Sequence, residues 1–345
     1  MISIQDRFRG CLLGGAIGDA LGYPVEFMTG AEIQRRFGAD GVTGLLCSGE
    51  KALISDDTQM TLFTVNGIEW AFERISERGI GDWISSGIYP AYVRWLATQG
   101  YEVPKGLLEA QSFEGESNFI LSHKELWERR APGNTCITAL LSALEGGVVQ
   151  HNSSKGCGAV MRVAPTGLLY YGNANSAFKL GAQTAKITHH HPIASAAAGS
   201  MAVIISRIVA GSNLAGAVND AVQGKYTRNA EVRNALKAAY CYAKSDLPHD
   251  VAIKRLGGGW VAEEALAIAV YCAMATSTAE DALLLAVNHG GDSDSTGAVC
   301  GNIVGALYGL SGLREDWISG IELSEYLTAT ADRLLTIAQR VKEEF

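Results

Sequence analysis

Two short runs of acidic and hydroxyl residues stand far apart in this chain of 345 residues. The first is "ISDDTQMTLFT", in which Ser55, Asp56, Asp57 and Thr58 precede apolar residues at helical spacing. The second is "NHGGDSDSTGAVCGNIVGALYG", in which Asp292, Asp294 and Ser295 precede a stretch rich in glycine and alanine. Each reads as a helix N-terminus, with a capping group and acids placed against the helix dipole. Capping alone leaves the doubled acids unexplained. Hard divalent cations take oxygen donors, and Mg²⁺ is held by a few carboxylates plus water. If the two helix starts converge, Asp56, Asp57, Asp292 and Asp294 meet, and Glu26 in "LGYPVEFM" adds a fifth carboxylate. Five negative charges at close quarters repel strongly unless about two divalent ions neutralise them. "DSDST" also matches the Asp-x-Asp-x-Thr of phosphatases with an aspartyl nucleophile. That motif belongs at the end of a parallel strand, whereas "AEDALLLAVNHGG" before it reads as helix and then loop.

The elements that must position these runs are helical. Apolar residues recur at three- and four-residue spacing over 58–75, 136–147, 175–189, 193–211, 213–223, 262–276, 279–288, 295–309 and 323–342. Alternating strand patterns are scarce, and no glycine-rich turn joins a strand to a helix. The pattern predicts an all-α protein with ten or more helices. No repeat, low-complexity tract or linker interrupts the chain, so residues 1–345 read as a single domain. The stretch 100–135 has weak periodicity and reads as a long excursion or a pair of short helices, of the kind that shapes a cleft. Near the start, "LLGGAIGDALG" places Gly14, Gly15, Gly18 and Gly22 inside a helical stretch, each costing about 1 kcal/mol relative to alanine. Two readings offset that cost: tight helix packing, or a ligand or metal site at the helix end, where Asp19 sits.

Composition narrows the partners. The chain is 48% hydrophobic with a net charge of −8, and no cluster of lysine or arginine stands out, which argues against a nucleic-acid surface. "MISIQDRFRG" lacks the apolar core of a signal peptide, so the expected location is the cytoplasm. "PIASAAAGSMAVIISRIVAG" contains an arginine and many small residues, and reads as a buried helix instead of a membrane span. Seven cysteines, odd in number and without paired metal spacing, are expected to be unpaired core thiols in a reducing compartment.

Five blocks, in order, resemble the ADP-ribosylglycohydrolase family, of the dinitrogenase reductase-activating glycohydrolase kind. They are "GCLLGGAIGDALGYPVE", "SDDTQM", "KGCGAVMRVAPTGLLY", "ITHHHP" and "NHGGDSDSTGAVCGNIVGALYG". The resemblance implies a compact, orthogonal multi-helix bundle with a binuclear Mg²⁺ or Mn²⁺ centre at one end of a cleft. By matching positions it implies that Ser55, Asp56 and Asp57 bind one metal, Asp292 and Ser295 the other, and Asp294 both. It also implies that Glu26 is a mobile acidic residue near the metals. Many members have threonine where this chain has Ser55 and Ser295, and both keep a hydroxyl. The first helix would then bring backbone close to the binuclear site, and its end would deliver Glu26.

The loop in "HNSSKGCGAVMRVAP" has the small residues that can wrap a diphosphate with backbone N–H groups, or form a plain surface turn. The family uses the matching loop for ADP-ribose, which implicates Ser153, Ser154, Lys155, Gly156, Cys157 and Gly158. Arg162 reads equally well as a buried structural arginine. Three consecutive histidines cannot all face one ion, and Pro192 marks a helix end. His189 matches a family position near the ligand phosphates, while His190 and His191 read as charges at a helix C-terminus or as polar packing. "PGNTC" offers Gly133 and Asn134 to the wall facing the terminal ribose.

The activity implied is hydrolysis of the bond between C1 of the terminal ribose and a protein side chain, with Glu26, Asp57 and Asp294 as catalytic residues. Either Asp57 or Glu26 would orient or deprotonate the water. ADP-ribosyl-arginine is the expected linkage, with ADP-ribosyl-serine and O-acetyl-ADP-ribose as alternatives. Partners would be an ADP-ribosylated protein, the ADP-ribose product and an ADP-ribosyltransferase toxin, with no nucleic acid and no membrane. The contrasting reading is a non-catalytic toxin-binding immunity or structural protein of the same fold, against which the retained acids argue.

Overall fold

The first helix, Ile4–Gly22, starts at Ser3, whose hydroxyl accepts from the Asp6 backbone N–H at 3.0 Å. This computed structural model describes residues 2–109, 119–146 and 151–344; the middle of the 100–135 excursion and the end of the expected 136–147 helix lie outside them. Along the helix, Gly10, Gly14, Gly18 and Gly22 form one face. A Cβ built on these glycines would lie 2.3, 2.4, 2.0 and 2.2 Å from the carbonyl oxygens of Gly305, Gly301, Gly297 and Ser293 respectively. Rising numbers on one helix meet falling numbers on the other, so Ile4–Gly22 and Ser293–Tyr308 run antiparallel, backbone against backbone. Between them, the Asn302 amide donates to the Cys11 carbonyl at 2.8 Å, in space that a side chain at Gly15 would fill. Of the two readings of the glycine stripe, tight helix packing is the one realised. Its last member, Gly22, nevertheless abuts Ser293 and the Asp294 amide nitrogen, so the packing ends at the second acid run.

The Ser293–Tyr308 helix is also packed by Ala262–Ala275 and Ala279–Val287, while Pro192–Val209 lies against Ala174–Ala185 and touches the same group. Pro192–Val209 is long and apolar enough to cross a membrane, yet 89% of it is buried inside the protein, where it forms part of the core. The described residues hold seventeen α-helices, six short 3₁₀ or π turns and one two-stranded hairpin, Cys47–Ser48 with Lys51–Ala52, in a compact, mostly helical bundle. Helices at Gly30–Phe37, Tyr89–Thr98, Ala230–Tyr242 and His249–Leu256 join those the periodicity marks. Tyr89–Thr98 is buried at eight of its ten positions, so it has little polar face for a periodicity to reveal.

Two expectations need correction. All seven cysteines are free, but Cys47 and Cys241 are exposed, so only some are core thiols. The histidine run does not end a helix: Ala174–Ala185 stops earlier, and His191 caps the start of Pro192–Val209, its Nδ1 accepting from the Ile193 N–H at 3.2 Å. His190 is polar packing, stacked on His151 with ring centroids 5.1 Å apart.

Candidate metal centre and its cleft

The first acid run opens the helix Asp56–Arg78. Its cap, Ser55, accepts from the Asp57 N–H at 3.2 Å. A second carboxylate secures this helix start from outside. Asp19, fully buried in the first helix, accepts from the Ser55 N–H at 2.9 and 3.0 Å and from the Thr58 N–H at 3.1 Å, and also takes the Thr58 hydroxyl. Asp19 is therefore committed to holding the "SDDT" turn and is not itself turned toward a ligand. Sequence reading noticed its position but had no means of finding its partners, which lie 36 and 39 residues away.

The second acid run opens the helix Ser293–Tyr308. Asp292 occupies the cap position, yet its side chain caps nothing, and Oδ2 is buried without a hydrogen-bond partner. Capping thus fails to account for this acid. Its backbone N–H is pinned to the Gly258 carbonyl at 2.8 Å, and Asp294 accepts from the Ser295 N–H at 2.8 Å. Glu26 follows the short turn Tyr23–Val25 at the end of the first helix and is 8% exposed, with Oε2 also unpartnered. One carboxylate oxygen from each of Glu26, Asp292 and Asp294 lies within 4.8 Å of the others. These three form a candidate metal-binding cluster made entirely of hard oxygen donors.

Asp56 and Asp57 line the same cleft as that cluster. Asp56 accepts from the Gly133 N–H at 3.1 Å, which ties the acid run to the "PGNTC" segment, and Asp57 Oδ1 has no partner. Burial, and then the charge of Asp294, raise Asp56, Asp57 and Asp292 well above the usual carboxylate range. Burial with Asp294 and Asp292 pushes Glu26 up to about 10. Asp19 reaches about 7, since burial and Asp294 outweigh its donors from Thr58 and Ser55. Without cations, these groups must share protons; orphaned oxygens among mutually repelling buried acids fit a metal site.

The cleft has a volume of about 340 Å³ and, among the described residues, is lined by five carboxylates and no lysine or arginine. Of the residues assigned to ADP-ribose, Gly133, Asn134, Cys157 and Gly158 line it together with Ser295. Ser153, Ser154, Lys155 and Gly156 lie on the adjoining loop, outside that lining. The loop is fixed to the segment before Ala262–Ala275: Cys157 N–H donates to the Trp260 carbonyl at 3.1 Å, and Ala262 N–H to the Lys155 carbonyl at 2.8 Å. The Lys155 ammonium is paired with Glu263, and the Ser154 hydroxyl is 3.1 Å from that of Thr135. His189 is buried behind the loop, where a Cβ on Gly158 would come within 3.1 Å of its ring. Burial, and then Arg162 and His190, lower His189 to about 3, which keeps the imidazole neutral. Arg162, buried as well, donates to the Thr188 hydroxyl at 2.5 Å, and that hydroxyl lies 2.8 Å from His189 Nδ1.

A larger cavity, about 540 Å³, opens beside Trp83, Tyr170 and Lys342 and holds a single carboxylate, Asp82. Size alone therefore does not choose the site; the convergence of acids does. Sequence reading missed Phe27 and Trp260 at the cleft mouth, since a single exposed aromatic carries no pattern.

The family model of ADP-ribosylglycohydrolases matches residues 1–344. The chain belongs to the ADP-ribosylglycohydrolase family. It is 27% identical over 349 residues to an ADP-ribosyl-[dinitrogen reductase] glycohydrolase of Rhodospirillum rubrum, covering 97% of this chain and 98% of that one. An uncharacterised protein of Archaeoglobus fulgidus is 29% identical over 353 residues, covering 98% and 99%. ADP-ribosylarginine hydrolase Tri1 of Pseudomonas putida is 25% identical over 342 residues, covering 98% of this chain and 80% of its own. A solved ADP-ribosylglycohydrolase-related protein complex shares the fold with a TM-score of 0.62 at 24% identity, covering 98% of this chain and 100% of that one. Family and fold together support a hydrolase of the ADP-ribosylglycohydrolase type.

Proposed function

We propose that this chain hydrolyses the bond between ADP-ribose and an arginine side chain of a modified protein, and does so with two divalent cations, Mg²⁺ or Mn²⁺. The observation that carries the reading is the meeting of Glu26, Asp292 and Asp294 in a buried all-oxygen cluster with two oxygens unpartnered. Ser55, Asp56 and Asp57 would hold one cation, Asp292 and Ser295 the other, and Asp294 both. Arginine as the acceptor is favoured by the name of two relatives, the ADP-ribosylarginine hydrolases Tri1 of Pseudomonas putida and Serratia proteamaculans. A cleft lined by acids without a basic residue also suits a guanidinium leaving group.

Bound divalent cations supply Lewis acidity and a template for ribose hydroxyls and water. The chain's own groups do the rest. Gly133, Asn134, Cys157 and Gly158 form the walls beside the terminal ribose, and the Ser153–Gly156 backbone binds the diphosphate, braced from behind by neutral His189. The bond from ribose C1 to the guanidine nitrogen breaks, the water oxygen joins C1, and the water proton passes through Glu26 Oε2 or Asp57 Oδ1 before the departing guanidine is protonated. Positive charge developing on the ribose is offset by the surrounding carboxylates, as in other glycoside hydrolyses.

The test is release of free ADP-ribose from an arginine-modified protein and, separately, from a serine-modified peptide, with Mg²⁺ and with EDTA. Metal-dependent release from the arginine substrate that Asp294→Ala abolishes is the expected result. Release from the serine peptide alone would replace the linkage, and no release from either by folded protein would overturn the hydrolase reading.

A further inference from the structure

We infer that Phe27 and Trp260 together form a seat for a planar cation, the guanidinium of the acceptor arginine, at the acid end of the cleft. The inference rests on the arginine linkage proposed above and deepens it by naming what selects the acceptor. Both rings line the same cavity as Glu26, Asp57, Asp292 and Asp294. They stack on one another with centroids 5.9 Å apart and planes 18° from parallel. Phe27 is 74% and Trp260 45% exposed, so two large apolar rings face solvent beside a cluster of carboxylates.

Their supports are firm. Phe27 directly follows Glu26, and its position is therefore tied to the cluster. Trp260 accepts from the Cys157 N–H through its carbonyl at 3.1 Å, while Gly258, two residues earlier, accepts from the Asp292 N–H at 2.8 Å. The strand-like contact between Gly156 and Val261 fixes the same segment to the loop. Trp260 is thus built between the loop and the second acid run, with its half-exposed ring stacked on Phe27 at the cleft. A π-face and carboxylates in one water-accessible cleft are the pair of features that a guanidinium satisfies, through stacking, cation–π attraction and charge.

The charge balance places this seat on the acceptor side and not under the nucleotide. The acid end, lined by five carboxylates and by no lysine or arginine among the described residues, offers a diphosphate no basic side chain, whereas the Ser153–Gly156 loop adjoining it offers backbone N–H groups, so the nucleotide is placed toward that loop. Two divalent cations would neutralise four of those charges, and the remaining acid still favours a cation.

The experiment measures binding by the Mg²⁺-loaded protein of agmatine, butylamine, butanol and ADP-ribose, alongside turnover of the arginine-modified protein. Wild type is expected to bind agmatine at least tenfold more tightly than butylamine, and butanol least. Phe27→Leu and Trp260→Leu keep apolar bulk but remove the rings, and each should weaken agmatine about tenfold while leaving ADP-ribose Kd within twofold. Both should lower kcat/KM for the arginine substrate by a similar factor, and Trp260→Phe should restore most of it. Equal binding of agmatine and butanol, or no effect of either leucine variant on agmatine, would overturn the seat. So would a tenfold loss of ADP-ribose affinity with agmatine unchanged, which would make the pair a nucleotide platform. Wild type that binds agmatine as expected yet releases no ADP-ribose would retain the seat and overturn only the hydrolase reading.

Discussion

The Asp19 carboxylate, in the last turn of one helix, holds the backbone N–H of Ser55 at the start of another, at 2.9 and 3.0 Å. The first acid run is thereby set by a residue outside it. Asp19→Asn keeps the shape but replaces one acceptor oxygen with a donor facing N–H groups. We expect a folded protein that is less stable by about 1–3 kcal/mol, the cost of leaving buried donors unsatisfied. Its affinity for Mg²⁺ should fall at least tenfold, which calorimetric titration with urea unfolding checks.

The glycine contact between the first helix and Ser293–Tyr308 leaves no room for side chains. A Cβ at Gly14 would lie 2.4 Å from the Gly301 carbonyl, and one at Gly301 would lie 1.9 Å from that of Gly14. Gly14→Leu should prevent stable folding, and Gly14→Ala should cost at least about 2 kcal/mol, within the range for overpacking. Urea unfolding should show a lower midpoint for Gly14→Ala than for wild type and no cooperative transition for Gly14→Leu, and an alanine variant as stable as wild type would show that the helices can part.

Protonation of the buried acids makes the metal-free protein depend on pH in a defined direction. Unfolded carboxylates titrate near 4, whereas Glu26 in the fold is pushed to about 10 and Asp19 to about 7, with Asp56, Asp57 and Asp292 raised too. Above pH of about 4 the folded state therefore holds more protons than the unfolded one, and stability falls as pH rises. Each such proton contributes a slope of about 1.4 kcal/mol per pH unit, lost through about pH 7 for Asp19 and continuing to about pH 10 for Glu26. The melting temperature in EDTA should drop between pH 5 and pH 8, and saturating Mg²⁺ should flatten or reverse that trend. A metal-free protein that gains stability over this interval would contradict the protonated cluster.

Glu26 follows the first helix and lines the cleft with an unpartnered oxygen, so its removal breaks no side-chain hydrogen bond of that oxygen. Glu26→Ala should retain the wild-type circular dichroism spectrum while kcat falls by about 10² to 10⁴, the usual range for an acid or base. Comparing it with Asp57→Asn separates the two candidates for the proton: the variant whose pH profile loses its acidic limb identifies the group that takes it.

The all-α class and both acid runs were legible because each depends on local pattern: helical periodicity, and oxygen-bearing residues doubled where one cap suffices. The convergence of Glu26, Asp292 and Asp294 was a conditional reading of the residues that the resemblance supported, since no local rule brings position 26 beside position 292. Asp19 was seen only as a residue at a helix end, and its function as a distant cap needs tertiary contact to appear. Lys155 was named with its loop for the backbone N–H groups there, and the pairing of its ammonium with Glu263, 108 residues on, is a tertiary contact that local spacing does not reveal. The Phe27 and Trp260 rings were silent for the same reason as Asp19, being meaningful only together.

The antiparallel glycine contact also acts as a ruler. Its rungs pair Gly10, Gly14 and Gly18 with Gly305, Gly301 and Gly297, and beyond the last rung the two segments carry Glu26 on one side and Asp294 and Asp292 on the other. Sliding one helix by a single rung of four residues would shift it by about 6 Å and separate Glu26 from Asp294 by more than a cation's reach. Interlocking backbones allow no smaller step. Sequence drift in the outer helices can thus proceed without altering the spacing of the acids, whereas an insertion of one residue within either glycine row would turn the following rungs by about 100° and uncouple them.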